Sequence, residues 1–182
     1  MQQCQLKLGY EPALEGGPIV VQTSGSTFVL FQTVSSQFRV DTNYHPINIA
    51  LTSPAVYQDL TRSSCPVAGI AVVEFIHCHV SKFGLPNNDA WAGHPLYSRI
   101  TEADGWMSFL EVRHSSWKAE LERQNKVSYP DWDWPHKHFI ISFRQSTFEC
   151  VAKDIQISVS EASPEIVLQQ IMQSVVTDLS KY

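Results

Sequence analysis

Three runs rich in β-branched and aromatic residues follow one another near the C-terminal end, with almost no chain between them. They cover residues 137–144, 147–153 and 155–160. Parallel strands need a crossover of a dozen or more residues, so gaps this short allow only antiparallel neighbours. The spacing predicts an antiparallel β-meander, and this is the strongest constraint on the fold.

Further strands are predicted in the first half of the chain. The runs 18–23 and 27–34 flank Gly25, and glycine supplies the positive φ that a tight hairpin turn requires. The run 67–80 begins with apolar residues on both alternating faces, which predicts one long strand buried on both sides.

Three Ser-containing segments predict helix starts, because a serine side chain can cap free amides at a helix N-terminus. The predicted helices cover residues 54–62, 117–126 and 164–180. The last has an apolar stripe at helical spacing that we expect to be buried: Leu168, Ile171, Met172, Val175 and Leu179. Together these elements predict an α+β fold, a twisted and mostly antiparallel sheet with two or three packed helices.

The 182 residues suit one domain, 1–182, with an irregular lead-in over 1–17. A net charge of -5 and scattered basic residues argue against nucleic-acid partners. No apolar run reaches the roughly 20 residues of a membrane span, which argues against membrane insertion. The start Met1–Cys4 lacks a cationic segment followed by an apolar run, and the cysteines are irregularly spaced. We therefore expect a soluble, cytoplasmic protein.

His77 and His79 form an H-x-H pair within the predicted strand 67–80. Residues two apart on a strand share a face, so both imidazoles could reach one divalent metal ion, with His94 as the nearest third candidate. Because the sequence shows no complete ligand spacing, the pattern favours two histidines at a solvent-exposed strand end over a metal site.

Three glutamates, Glu74, Glu111 and Glu149, fall among apolar residues in predicted strands. A charged carboxylate is seldom buried without a partner. One interpretation groups these glutamates with His114 or His138 for acid–base chemistry or a metal, with Glu111, His138 and Glu149 as the catalytic candidates. The other, which the sequence favours, is that each glutamate faces water or forms an ion pair.

Cys78 and Cys150 also lie in predicted strands. A nucleophilic cysteine needs exposure and a nearby base, which the sequence does not identify for either residue. Both are interpreted as small buried hydrophobes.

Two irregular segments, 84–105 and 129–136, are rich in aromatic residues and histidine. The candidate ligand-binding residues are Trp91, His94, Tyr97, Trp132 and Trp134. If the segments meet, these side chains form an aromatic cleft; equally, they could fold back to cover the sheet.

The pattern favours a binding or interaction module with a cleft for a small molecule or a partner protein. The alternative is a small enzyme using the histidines and glutamates above, with or without a divalent metal. The sequence leaves the cofactor and the oligomeric state open.

Overall fold

The computed structural model describes residues 11–12, 17–23, 25–34, 67–87, 89–96, 109–131 and 134–179. The predicted helix over 54–62 lies outside these residues, as do the side chains of Tyr97 and Trp132. The strands are β1 (Glu11–Pro12), β2 (Ile19–Gln22), β3 (Ser26–Val34), β4 (Val67–Ile76), β5 (Val80–Gly84), β6 (Phe109–Val112), β7 (Lys137–Ser142), β8 (Thr147–Ala152) and β9 (Asp154–Ser160). The helices are α1 (Ser116–Lys126) and α2 (Pro164–Leu179), with a 3₁₀ turn at Trp91–Gly93.

The strands form two antiparallel sheets. The first sheet has the order β1-β3-β4-β9, with β2 also paired to β3, and the second has the order β5-β8-β7-β6. The α+β class, the antiparallel pairing and the β2–β3 hairpin are confirmed. The expectation of a single sheet is not met, because two chain segments pass from one sheet to the other.

Both crossings occur at one corner, which comprises residues 76–80 and 152–154. β4 ends at Ile76 and β5 begins at Val80 in the other sheet, so the predicted single strand 67–80 is two strands. His77 makes the bend with a positive φ of 49°. β9 likewise leaves β8 after Lys153 and pairs with β4, so only the first two strands of the predicted meander are neighbours. Bends of this kind are how strands change sheets in packed β structures.

The main core lies between the two sheets. Phe75 of β4 is fully buried, and its ring centroid lies 6.0, 5.7 and 5.2 Å from those of Phe109, Phe139 and Phe148 in the second sheet. Aromatic rings at these separations attract one another beyond the area they bury. The inner faces of the sheets are therefore held together mainly by aromatic and aliphatic packing.

α2 covers the outer face of the first sheet. Val167 and Ile171 are buried against Leu30 and Ile70, and Leu168 and Val175 pack at the edge of this cluster. The predicted stripe is thus largely correct, but Met172 is 46% exposed, and Val167 takes the buried position instead. The side chain of Leu179 lies outside the described residues. Among the residues described, no helix is long and apolar enough to cross a bilayer.

The outer face of the second sheet is covered differently. A small cluster formed by Leu96, Leu110, Val112 and Ile140 packs with Trp91. The predicted helix over 117–126 is present as α1, which begins beside β7. Ser115 is its N-cap: the Ser115 side chain accepts a hydrogen bond from the Lys118 amide at 3.0 Å. The candidate site lies on this face.

Candidate functional site

Glu149 lies near the middle of the outer face of the second sheet, between two histidines. Its Oε1 is 3.2 Å from Nε2 of His94, and its Oε2 is 3.0 Å from Nε2 of His138. His138 is on the adjacent strand β7, whereas His94 follows the 3₁₀ turn. Each oxygen of the Glu149 carboxylate is therefore hydrogen-bonded to one imidazole.

The backbone fixes the tautomer of His94. The Leu96 amide donates a hydrogen bond to Nδ1 of His94 at 3.1 Å, so this nitrogen is an acceptor and carries no proton. The remaining proton is on Nε2 and points at Glu149. His94 is consequently a neutral donor to the carboxylate, and both of its nitrogens are occupied.

His138 connects Glu149 to the start of α1. Its Nδ1 lies 2.8 Å from the Ser115 hydroxyl, which also caps the helix. The Ser115 oxygen accepts from the Lys118 amide, so its own proton is available for Nδ1 of His138. A continuous hydrogen-bonded chain thus runs from Ser115 through His138 and Glu149 to His94.

The electrostatics of Glu149 follow from this arrangement. Burial raises the pKa of the carboxyl, but the hydrogen bonds from His138 and His94 outweigh burial and lower the pKa to about 2. The carboxylate is therefore ionised at neutral pH. Its side chain keeps 14% of its exposure, whereas each histidine side chain keeps only 3%.

Each histidine also contacts an indole ring. Trp91 stacks on His94 with ring centroids 4.4 Å apart, and Trp117 of α1 meets His138 edge-on at 5.1 Å. Both indoles are half-buried. The carboxylate thus lies between two imidazoles, and each imidazole contacts one partly exposed indole.

Lys82 completes the surroundings of the carboxylate. It is the cross-strand partner of Glu149 on β5, so both side chains leave the same face of the sheet. Its ammonium lies 3.7 Å from the centroid of the Trp117 ring, a cation–π contact. The face of this indole therefore already holds a cation, from the residue that pairs with Glu149 across the two strands.

A second aromatic region lies at the corner. His79 contacts Trp134 and His136, with ring centroids 5.1 and 6.2 Å apart, and its Nε2 is 3.4 Å from the Asn125 side chain. Burial and the nearby His79 lower the pKa of His136. Trp134 is only 3% exposed, so its ring is part of the packed structure.

The loop after α1 borders an open pocket of about 650 Å³, lined by Ser128, Tyr129, Pro130 and Asp131. Tyr129 is 62% exposed. The second aromatic segment of the sequence therefore faces solvent at its start and is buried at Trp134.

The predicted catalytic residues do not all lie together in the structure. His138 and Glu149 come together, as the catalytic hypothesis required, but Glu111 does not join them. Glu111 pairs with Phe139, whose side chain enters the core between the sheets, so Glu111 leaves the opposite face from Glu149. Glu74, on the first sheet, accepts a hydrogen bond from the Ser26 hydroxyl at 2.8 Å.

The metal candidates are also divided. His77 and His79 lie in the bend at the corner rather than on a strand, whereas His94 contacts Glu149. Within the described parts of the chain, no group of three or more His, Cys, Asp or Glu side chains is arranged to hold a metal ion.

Sequence reasoning missed three residues of the site: Ser115, Trp117 and Lys82. In the sequence, Ser115 or Ser116 predicts a helix cap, and Trp117 predicts one face of that helix together with Leu121. No local pattern could link them to Glu149, because their proximity depends on how α1 crosses the second sheet. Lys82 follows the predicted strand 67–80, and no local pattern marks it as a site residue.

Comparisons with known proteins return no match: no protein-family model matches the sequence, and neither a curated protein nor a solved structure matches the chain. The site is therefore interpreted from its own geometry.

Proposed function

We propose that this protein is a binding module that recognises an organic cation, an amine or a guanidine, whether free or on a partner protein. The observation that carries the proposal is the Glu149 carboxylate, held ionised between two histidines on a face that also presents two indoles.

The carboxylate has acceptor capacity left for a guest. An ionised carboxylate offers about four lone-pair positions, and the two imidazoles use one on each oxygen. The Glu149 side chain keeps 14% exposure, against 3% for each histidine. Within the hydrogen-bonded chain, Glu149 is therefore the group most accessible to a guest. A guest N–H or ammonium can therefore bind without displacing His94 or His138.

The indoles favour the same class of guest. An aromatic face attracts a cation most strongly when water is partly excluded. Lys82 already occupies this position over Trp117 at 3.7 Å. An external cation would compete with the Lys82 ammonium for the face of the Trp117 ring.

The test is calorimetric titration with a panel of alkylamines, guanidines and quaternary ammonium compounds, each paired with a neutral isostere. We expect the cations to bind and the neutral isosteres to show no heat of binding. Glu149→Gln should weaken binding about 10- to 100-fold, because it removes a charge-assisted hydrogen bond. Glu74→Gln, on the first sheet, is the matched control and should leave the affinity unchanged.

Lys82→Met supplies the sharper test of charge. The variant removes the competing ammonium but keeps an apolar stem of similar length. A cationic guest should bind severalfold more tightly to Lys82→Met. Weaker binding of the cations to this variant would show that they do not compete with the Lys82 ammonium, and the proposal would be wrong.

A second candidate function, a small hydrolytic enzyme, is supported by the Ser115–His138–Glu149 chain, since a hydroxyl, an imidazole and a carboxylate in series can activate a nucleophile. Against it, Ser115 is only 5% exposed, and its oxygen also caps α1. A fluorophosphonate probe distinguishes the two functions. Labelling that maps to Ser115 and disappears in Ser115→Ala would favour the enzyme; an unlabelled protein that binds cations would favour the binding module.

A further inference from the structure

The corner brings together two cysteines that are distant in sequence. Cys78 lies in the bend between β4 and β5, and Cys150 lies in β8. Cys78 packs against the core cluster that contains Cys150. The His79 amide donates a hydrogen bond to the Val151 carbonyl oxygen at 2.8 Å, so each cysteine directly precedes one residue of a hydrogen-bonded pair. Both are free cysteines. The interpretation of each as an isolated small hydrophobe leaves this contact unexplained.

The two thiols differ in access to solvent. Cys150 is fully buried, whereas Cys78 is partly exposed. The bend that carries Cys78 is made by His77 in a left-handed conformation, with φ of 49°, which non-glycine residues adopt infrequently. This conformation ends the pairing of β4 and turns the Cys78 side chain back toward the core, where its Sγ is 3.6 Å from the Val80 carbonyl oxygen.

A third polar side chain borders the pair. Thr27 of β3 is fully buried in the core between the sheets. It lies close enough to Cys78 to affect the thiol. A hydroxyl beside a sulfur can donate a hydrogen bond to the thiolate and so favours the ionised form.

These neighbours separate the acidities of the two thiols. The contact with Cys150 lowers the pKa of Cys78 to about 7 in spite of partial burial, and Thr27 lowers it further in the same direction. Burial raises the pKa of Cys150 above its ordinary value. Cys78 is therefore the thiol that ionises near neutral pH, and the thiolate is the reactive form.

We propose that Cys78 and Cys150 form a peroxide-sensitive thiol pair, in which Cys78 reacts first with hydrogen peroxide and Cys150 then closes a disulfide. In the first step the Cys78 thiolate attacks a peroxide oxygen. The O–O bond breaks, hydroxide leaves, and Cys78 becomes a sulfenic acid, oxidised by two electrons. In the second step the Cys150 sulfur attacks the sulfenic sulfur, and the sulfenic oxygen leaves as water with the Cys150 proton. The sum is two thiols and one peroxide giving one disulfide and two waters.

The test uses the full chain with Cys4→Ser and Cys65→Ser, since the sequence has four cysteines and these substitutions leave only the pair. After treatment with hydrogen peroxide and alkylation, peptide mapping without reductant should recover a Cys78–Cys150 cross-link with loss of both free thiols. Adding Cys150→Ala should leave Cys78 as a sulfenic acid that dimedone captures, and Cys78→Ser should leave Cys150 unmodified. Thr27→Val should slow the modification of Cys78 severalfold.

Absence of the cross-link, or dimedone on Cys150 rather than on Cys78, would overturn the proposal. A measurement on the unsubstituted pair guards against variants that fail to fold. In a timed alkylation of the reduced protein, Cys78 should be modified before Cys150. Equal rates, or Cys150 first, would likewise contradict the assigned order. These outcomes do not depend on the cation site at Glu149.

Discussion

The two sheets use their outer faces in opposite ways. The outer face of the first sheet carries an apolar cluster that α2 covers through Val167 and Ile171. The outer face of the second sheet has buried histidines around a carboxylate, covered by α1 and the segment that ends in His94. Apolar burial stabilises a fold without directional requirements, whereas a buried polar network stabilises it only if every member keeps its partner. The first face is thus suited to stability, and the second is the face on which we propose that a guest binds.

The largest effect should come from the apolar face. Ile171→Ala removes a side chain that is 8% exposed, and we expect it to lower the free energy of unfolding by about 2–5 kcal/mol. Met172→Ala, at the neighbouring position with 46% exposure, is the matched control and should change stability by less than about 0.5 kcal/mol. Urea unfolding of both variants measures the difference. Equal stabilities would show that α2 does not dock on the first sheet as described.

The polar face should be sensitive to a change that hardly alters volume. Glu149→Gln places an amide N–H₂ opposite one of the two histidine donors, so one buried donor loses its acceptor. We expect a loss of about 1–3 kcal/mol in unfolding free energy. Glu74→Gln retains an oxygen to accept from the Ser26 hydroxyl and should be nearly neutral. If both substitutions have the same effect, the difference drawn between the two faces is wrong.

The unfolding free energy should also depend on pH through Glu149 on the second sheet. The pKa of Glu149 in the folded protein is lowered from 4.5 to about 2, so its contribution is complete above about pH 4.5 and is lost as the pH falls through about 2. Allowing for solvent screening, the ionised Glu149 contributes about 1–2 kcal/mol to the free energy of unfolding. The difference in unfolding free energy between the wild type and Glu149→Gln should therefore shrink across this pH range. A difference that stays constant from about pH 5 to about pH 2 would show that Glu149 is not the group responsible.

A smaller effect is expected at the start of α1. Ser115→Ala removes the helix cap and the hydroxyl next to His138, and should cost about 1 kcal/mol. Ser116→Ala is the matched control, since Ser116 is exposed and follows the cap. Thermal unfolding of the two variants should show a lower Tm for Ser115→Ala alone.

The smallest effect should be at the solvent side of α1. Lys126 forms an exposed i,i+4 pair with Glu122 at 2.9 Å. Lys126→Met should change the unfolding free energy by no more than about 0.5 kcal/mol, and the change should diminish in high salt. A loss comparable to that of Glu149→Gln would mean that the surface charges of α1, and not the buried network, hold it in place.

The sequence alone was sufficient for most local elements. The apolar stripe that begins at Leu168 predicted the α2 helix, Ser115 or Ser116 predicted the start of α1, and Gly25 predicted the β2–β3 hairpin, since each depends on residues within one or two turns of chain. The site was only half predictable. His138 and Glu149 were candidates, but their pairing with His94 rather than Glu111 depends on which face each side chain leaves, and one residue of strand register reverses that face.

The tertiary structure decided the features that depend on long-range placement. Short gaps between strands dictated antiparallel runs, but the bends at His77 and Lys153 assigned the successive strands to different sheets. Those bends bring Cys78 to Cys150 and leave Glu149 on the face that α1 crosses. The sequence determined the elements because hydrogen bonding and burial periodicity are local; the packing of the two sheets determined the partners because contacts between distant residues exist only after the chain has folded.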